Sequence, residues 1–105
     1  MTVFAVFEVL VDPDAGAEAV ASYEVYRAAV PALIERFGGR YLVRAGTGRA
    51  IEGAPTTARW HIIEFPDDES AEAFWASPEY EAIKPLRAGA ADLRAVLVTP
   101  PPPQT

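Results

Sequence analysis

Apolar residues along this chain switch repeatedly between a spacing of two and a spacing near 3.6. In the first stretch Val3, Ala5, Phe7, Val9 and Val11 share one parity, and Phe4, Val6 and Leu10 share the other. Glu8 is the single charge among them. A strand apolar on both sides belongs in the interior of a sheet with both faces covered. Asp12-Pro13-Asp14 supplies the turn residues that end it.

From about Ala17 to Phe37 the period becomes helical. Val20, Tyr23, Val30, Ile34 and Phe37 form an apolar stripe, with Tyr26 and Leu33 beside it. Pro31 lies inside the pattern and predicts a bent helix, with any break near Ala29. Gly38 provides the left-handed residue that ends a helix. Residues Arg40 to Ala45 alternate as a second strand, with Arg40, Leu42 and Arg44 on one face and Tyr41, Val43 and Ala45 on the other. Gly46 to Thr57 reads as a loop, and Ala58 to Phe65 as a third strand stopped by Pro66. Asp67 or Asp68 caps the next helix, and Ser77-Pro78-Glu79 restarts a second helical segment. The last strand spans about Leu93 to Val98. The predicted order is β-α-β-β-α-β, a ferredoxin-like α+β fold with a four-stranded antiparallel sheet. Both helices then cover one face of the sheet. The other face is apolar as well, and a second copy of the chain is its simplest cover.

Length and composition change this picture little. The 105 residues suffice for one domain over residues 1–99, and the prolines of 100–105 predict a disordered tail. A net charge of −6 argues against nucleic acid and anionic membrane as partners. The first residues read as a strand rather than a signal peptide, and no apolar run approaches a membrane span, so a cytoplasmic protein is expected. The absence of cysteine excludes thiol chemistry and disulfides, and with one histidine it leaves no expectation of a metal or other cofactor.

Candidate chemistry rests on charges and hydroxyls within the elements. Glu8, Arg44 and Glu64 are strand charges that regular alternation brings to one face. They would form either a pocket for a small anionic or enolic ligand, with Glu64 as general base, or a salt-bridge network. His61 has the opposite parity to Glu64 and is either a base or a satisfied, half-exposed side chain. Tyr23 and Tyr26, three apart on the first helix, either orient a ligand or pack against the sheet, and Tyr80 beside Arg87 has the same two readings.

The sequence resembles a known family. Tyr23-Glu-Val-Tyr26, Pro31, Gly38-Gly39-Arg40-Tyr41-Leu42-Val43-Arg44, Glu52-Gly53, Ile63-Glu64-Phe65-Pro66, Ser77-Pro78-Glu79-Tyr80, Arg87 and Asp92 together look like the domain-of-unknown-function family 1330. The resemblance covers roughly residues 3 to 98. It implies a dimeric α/β-barrel, in which two ferredoxin-like units pack sheet to sheet, and it implies no established activity. Other families of that architecture include cofactor-independent monooxygenases, muconolactone-isomerase-like enzymes and dye-decolourising haem enzymes, which is an analogy of fold alone. The expectation is a small homodimeric protein, either a cofactor-independent enzyme acting on a small organic molecule or a non-catalytic metabolite-binding or structural dimer module.

Overall fold

Two glycines close the first helix and aim the chain into the second strand. The computed structural model describes residues 1–102, so the end of the predicted proline tail, residues 103–105, lies outside the described residues. Strand β1 (Val3–Val11) leads into helix α1 (Ala17–Arg36). Gly38, at φ 84°, donates its N–H to the Glu35 carbonyl at 3.0 Å, and Gly39 donates to the Ile34 carbonyl at 2.8 Å. This pair of bonds satisfies the terminal carbonyls of α1 and turns the chain directly into β2 (Arg40–Thr47). Strand β3 (Arg59–Phe65), helices α2 (Asp68–Trp75) and α3 (Pro78–Ile83), a 3₁₀ turn (Lys84–Arg87) and strand β4 (Ala91–Val98) complete the order.

The sheet runs β2-β3-β1-β4 with every neighbouring pair antiparallel. This is the ferredoxin-like arrangement expected from the sequence. Helix α2 is capped by Asp67, whose carboxylate accepts from the Ser70 N–H at 2.7 Å. Ser77 caps α3 by accepting from the Tyr80 N–H at 3.1 Å, and its own hydroxyl donates to the Phe74 carbonyl at 2.8 Å. Ser77 is therefore buried with its polar groups satisfied.

Val3, Ala5, Phe7 and Val9 of β1 and Ile63 and Phe65 of β3 are buried under the helices with Tyr26, Val30, Ile34, Phe74 and Tyr80. The opposite face carries the other parity. There the register lines up Val43, Ile62, Val6 and Val96 in one row across all four strands, with Phe4 and Val98 beside it. No helix lies over this row, and Val96 and Val98 are exposed.

Helix α1 runs through Pro31 as one continuous helix, in keeping with the expectation of an unsplit one, while two other details differ from the periodicity. The carbonyl that Pro31 leaves free belongs to the exposed Arg27, where water can satisfy it. Val20, placed in the apolar stripe by its spacing, is exposed, and the adjacent Ala19 is half-buried in its place, because at about 100° per residue Val20 falls at the margin of the stripe that Tyr26, Val30 and Ile34 define. Strand β2 continues to Thr47 instead of stopping at Ala45, and it does so by bulging.

Candidate functional site

The bulges of β2 decide which side chains reach the helix-covered face. Tyr41 opposes Ile63, but Val43 opposes Ile62, so β2 uses one residue more than β3 over this step. A second extra residue comes before Gly46 opposes Trp60, and here Arg44 and Ala45 together face His61. Each inserted residue reverses the alternation of those beyond it. Arg44 therefore leaves the face that carries Arg40 and joins Tyr41 and His61 beneath α1. Gly46 belongs to this packing, since a Cβ there would come within 2.6 Å of Val43 Cγ1.

Between α1, the 3₁₀ turn and the sheet lies a cavity of about 240 Å³. Phe7, Val9 and Leu93 form its apolar floor, and Tyr23, Tyr26, Arg27, Arg44, His61 and Arg87 supply its polar groups. Arg44 is exposed and stands at the mouth, with its Cζ 5.4 Å from the centroid of the Tyr41 ring. Arg87 is half-buried, its Cζ 5.8 Å from the Tyr26 centroid. Both guanidiniums lie within cation–π range of an aromatic face. Among the described residues Glu24 is the one carboxylate of the lining, and it pairs with Arg27 at 3.0 Å. Among the described residues neither Arg44 nor Arg87 has a carboxylate partner within salt-bridge distance.

The hydrogen bonds give each polar group a direction. Ala45, at φ 55°, donates its backbone N–H to His61 Nδ1 at 3.0 Å. An Nδ1 that accepts carries no hydrogen, so the neutral ring holds its hydrogen on Nε2. Burial pushes the His61 pKa down, and Arg44 and Arg27 push it further. His61 thus offers the cavity a donor. Arg87 donates to the Tyr80 hydroxyl at 3.0 Å and to the Tyr26 hydroxyl at 3.4 Å, and the two hydroxyls lie 2.7 Å apart. Burial raises the Tyr23 and Tyr41 pKa values, so both phenols keep their hydrogens at neutral pH.

The structure divides the residues singled out from the sequence. Tyr23, Tyr26, Arg44, His61 and Arg87 meet at the cavity, and Tyr80 lies directly behind Tyr26. Glu8 and Glu64 are on the other face of the sheet, where Glu64 pairs with Arg40 at 3.3 Å and Glu8 sits between Trp60 and Arg94. The expected convergence of Glu8, Arg44 and Glu64 does not form within the chain, because the bulge carries Arg44 away from both. Sequence reasoning missed Tyr41 and Arg27 as lining residues. The parity of Tyr41 does place it on the helix-covered face, but regular alternation puts Arg44 on the other one and so hides their meeting. Among the described residues no three His, Asp or Glu side chains gather as a metal site would require, and no helix is long and apolar enough to cross a membrane.

Comparison with known proteins agrees with this architecture. A protein of unknown function from Rhodopseudomonas palustris superposes with a TM-score of 0.74 at 19% identity, over 97% of this chain and 84% of that one. A dimeric ferredoxin-like protein of unknown function from Jannaschia sp. CCS1 gives 0.64 at 13% identity, over 94% and 99%. SnoaB from Streptomyces nogalater, a cofactor-independent oxygenase, gives 0.59 at 19% identity, over 99% and 95%. At these identities the likeness is one of fold. No curated protein matches the chain. The sequence model of one family matches residues 14–100, and on that match the chain belongs to the domain-of-unknown-function family DUF1330.

Proposed function

We propose that this protein is a homodimeric enzyme that acts, without a bound cofactor, on a small organic anion held in the cavity of each subunit. The observation that carries this reading is the polarity of the lining. In an acidic protein, the cavity presents two guanidiniums without carboxylate partners and the donor groups of His61 and the tyrosines. Such a lining holds a negatively charged oxygen and leaves a neutral or cationic guest with unpaired donors. The volume lies below the roughly 300–1,000 Å³ of drug-sized pockets, which fits a single ring with an anionic substituent. The dimer is supported by the apolar row on the uncovered sheet face and by the dimeric relatives of the same fold.

SnoaB supports the cofactor-independent part of the reading, as a protein of the same fold that is a cofactor-independent oxygenase. A second reading, a non-catalytic binder of the same anion, is favoured by one observation. The lining has no carboxylate free to act as base, because Glu24 is paired with Arg27. Titration calorimetry with benzoate and with benzamide tests the common element of both. Binding of benzoate at one per subunit, with benzamide at least tenfold weaker, is the expected result. Equal binding of the two, or none, overturns the anion site. Turnover of a panel of enolic and phenolic acids, followed by mass spectrometry, then separates enzyme from binder.

A further inference from the structure

Tyr80 is fully buried, and its hydroxyl has two polar neighbours among the described residues: Tyr26 at 2.7 Å and Arg87 at 3.0 Å. A guanidinium only donates, so the Tyr80 oxygen accepts from Arg87. The Tyr80 hydrogen then has a single acceptor in reach, the Tyr26 oxygen. Tyr26 in turn accepts from Tyr80, and from Arg87 at 3.4 Å, so its own hydrogen must point away from this group. Of the two tyrosines, Tyr26 alone lines the cavity.

We propose that Tyr80, which does not touch the bound molecule, is a positioning residue that turns the Tyr26 hydroxyl hydrogen into the cavity, where it donates to a phenolate or enolate oxygen of the ligand. The inference rests on the reading of the cavity as an anion site and narrows the ligand class to molecules with an ionisable enol or phenol. Each donation into the Tyr26 oxygen polarises its O–H bond and strengthens what it donates outward. Burial, together with the neighbouring Tyr26, holds the Tyr80 ionisation far above the ordinary tyrosine range, so Tyr80 keeps its hydrogen at neutral pH. Arg87 serves both hydroxyls and faces the cavity itself. A ligand oxygen beside Tyr26 therefore meets a directed donor and a cation together, the arrangement that favours the ionised over the neutral form.

The probe for the experiment is 4-nitrophenol, whose absorbance distinguishes phenol from phenolate. Bound to the wild-type protein it should ionise at a lower pH than in water. In Tyr80→Phe the ring remains but the hydrogen that orients Tyr26 is gone. The bound probe should then ionise about one pH unit higher than in the wild type, with phenolate affinity weakened roughly tenfold. A purely structural Tyr80 would change the melting temperature and leave the bound probe's ionisation unmoved, which overturns the positioning role while the anion site stands. Failure of the wild type to bind 4-nitrophenolate while it binds benzoate overturns this inference and leaves the anion site standing; failure to bind either overturns both. Proton NMR gives a measurement that needs neither ligand nor a folded Tyr80→Phe. The Tyr80 hydroxyl hydrogen should exchange slowly in the wild type and rapidly in Tyr26→Phe. A rapidly exchanging hydroxyl in the wild type overturns the proposal.

Discussion

The backbone N–H of Ala45 donates to Nδ1 of His61 at 3.0 Å, across the second bulge of β2. Protonating His61 would put a hydrogen on Nδ1 facing another hydrogen, and would add a third cation to the neighbourhood of Arg44 and Arg27. The bond and the charges therefore act in the same direction. The folded-state pKa lies below the ordinary histidine value of 6.5, so the unfolded chain binds a proton first as the pH falls. The stabilisation from neutral His61 is complete above about pH 6.5 and is lost as the pH drops through the folded value. His61 is the one histidine of the chain, so its Cε1 resonance needs no assignment. That resonance should titrate with a midpoint below about 6.5, and the melting temperature should fall across the same interval. A midpoint at or above the ordinary value would show that His61 is not held in its buried place beside Arg44 and Arg27 in solution.

Arg44 and Arg40 would share a face in a regular strand, and the bulge separates them. Arg44→Ala should weaken benzoate binding by about tenfold, the worth of one charge-assisted hydrogen bond. Arg40→Ala, whose guanidinium pairs with Glu64 on the far face, should leave the affinity unchanged. Calorimetry on the two variants reads both effects. An equal loss in each would mean that the faces are not separated as described.

Gly39 comes directly after the helix-ending glycine and is pressed against the core. A Cβ there would stand 2.7 Å from both Ile34 Cγ2 and Phe65 Cε1, two side chains with no room to retreat. Gly39→Ala should lower stability by about 1–3 kcal/mol in urea denaturation, the usual cost of overpacking. Gly16, before α1, has nothing within 4 Å of such a Cβ. Gly16→Ala, at the N-cap of α1, should cost no more than about 1 kcal/mol, from the poorer capping by alanine alone. If Gly39→Ala is as stable as the wild type, the turn into β2 is looser than the contacts require.

Ile62 lies mid-row on the uncovered sheet face, opposite Val6 on one side and Val43 on the other. A charge at that point is buried and unpaired if two sheets meet there, and solvated if they do not. Ile62→Glu should convert the proposed dimer to monomer in sedimentation velocity, with the circular dichroism of the fold retained. A dimer that survives the substitution must use another surface.

Much of the fold is legible in local chemistry. Gly38, Asp67 and the Ser77-Pro78 pair mark the helix ends by mechanisms that act within four residues, and the structure places a cap or turn at each. The candidate site is only half legible, because its geometry depends on longer relationships. Regular alternation sets Arg44 beside Glu8 and Glu64, and two inserted residues undo that grouping. No residue in Tyr41-Leu42-Val43-Arg44 announces a bulge. The nearest clue is Gly46, where the lack of a side chain accommodates Val43, and in the sequence it reads as the start of a loop. The hydrogen bond between Tyr26 and Tyr80 joins residues 54 apart, and it depends on how α1 docks against α3.

Strand β2 is an outer strand of the sheet, and an outer strand normally offers a straight row of N–H and C=O groups to any passing chain. The two inserted residues break that row. Ala45 also directs its amide hydrogen inward to a side chain, where no neighbouring molecule can use it. The irregularity that carries Arg44 to the cavity thereby also guards this margin against edge-to-edge aggregation. A redesign that straightened β2 for regularity would forfeit the proposed anion binding and this edge protection together, and the two losses should appear in the same variant.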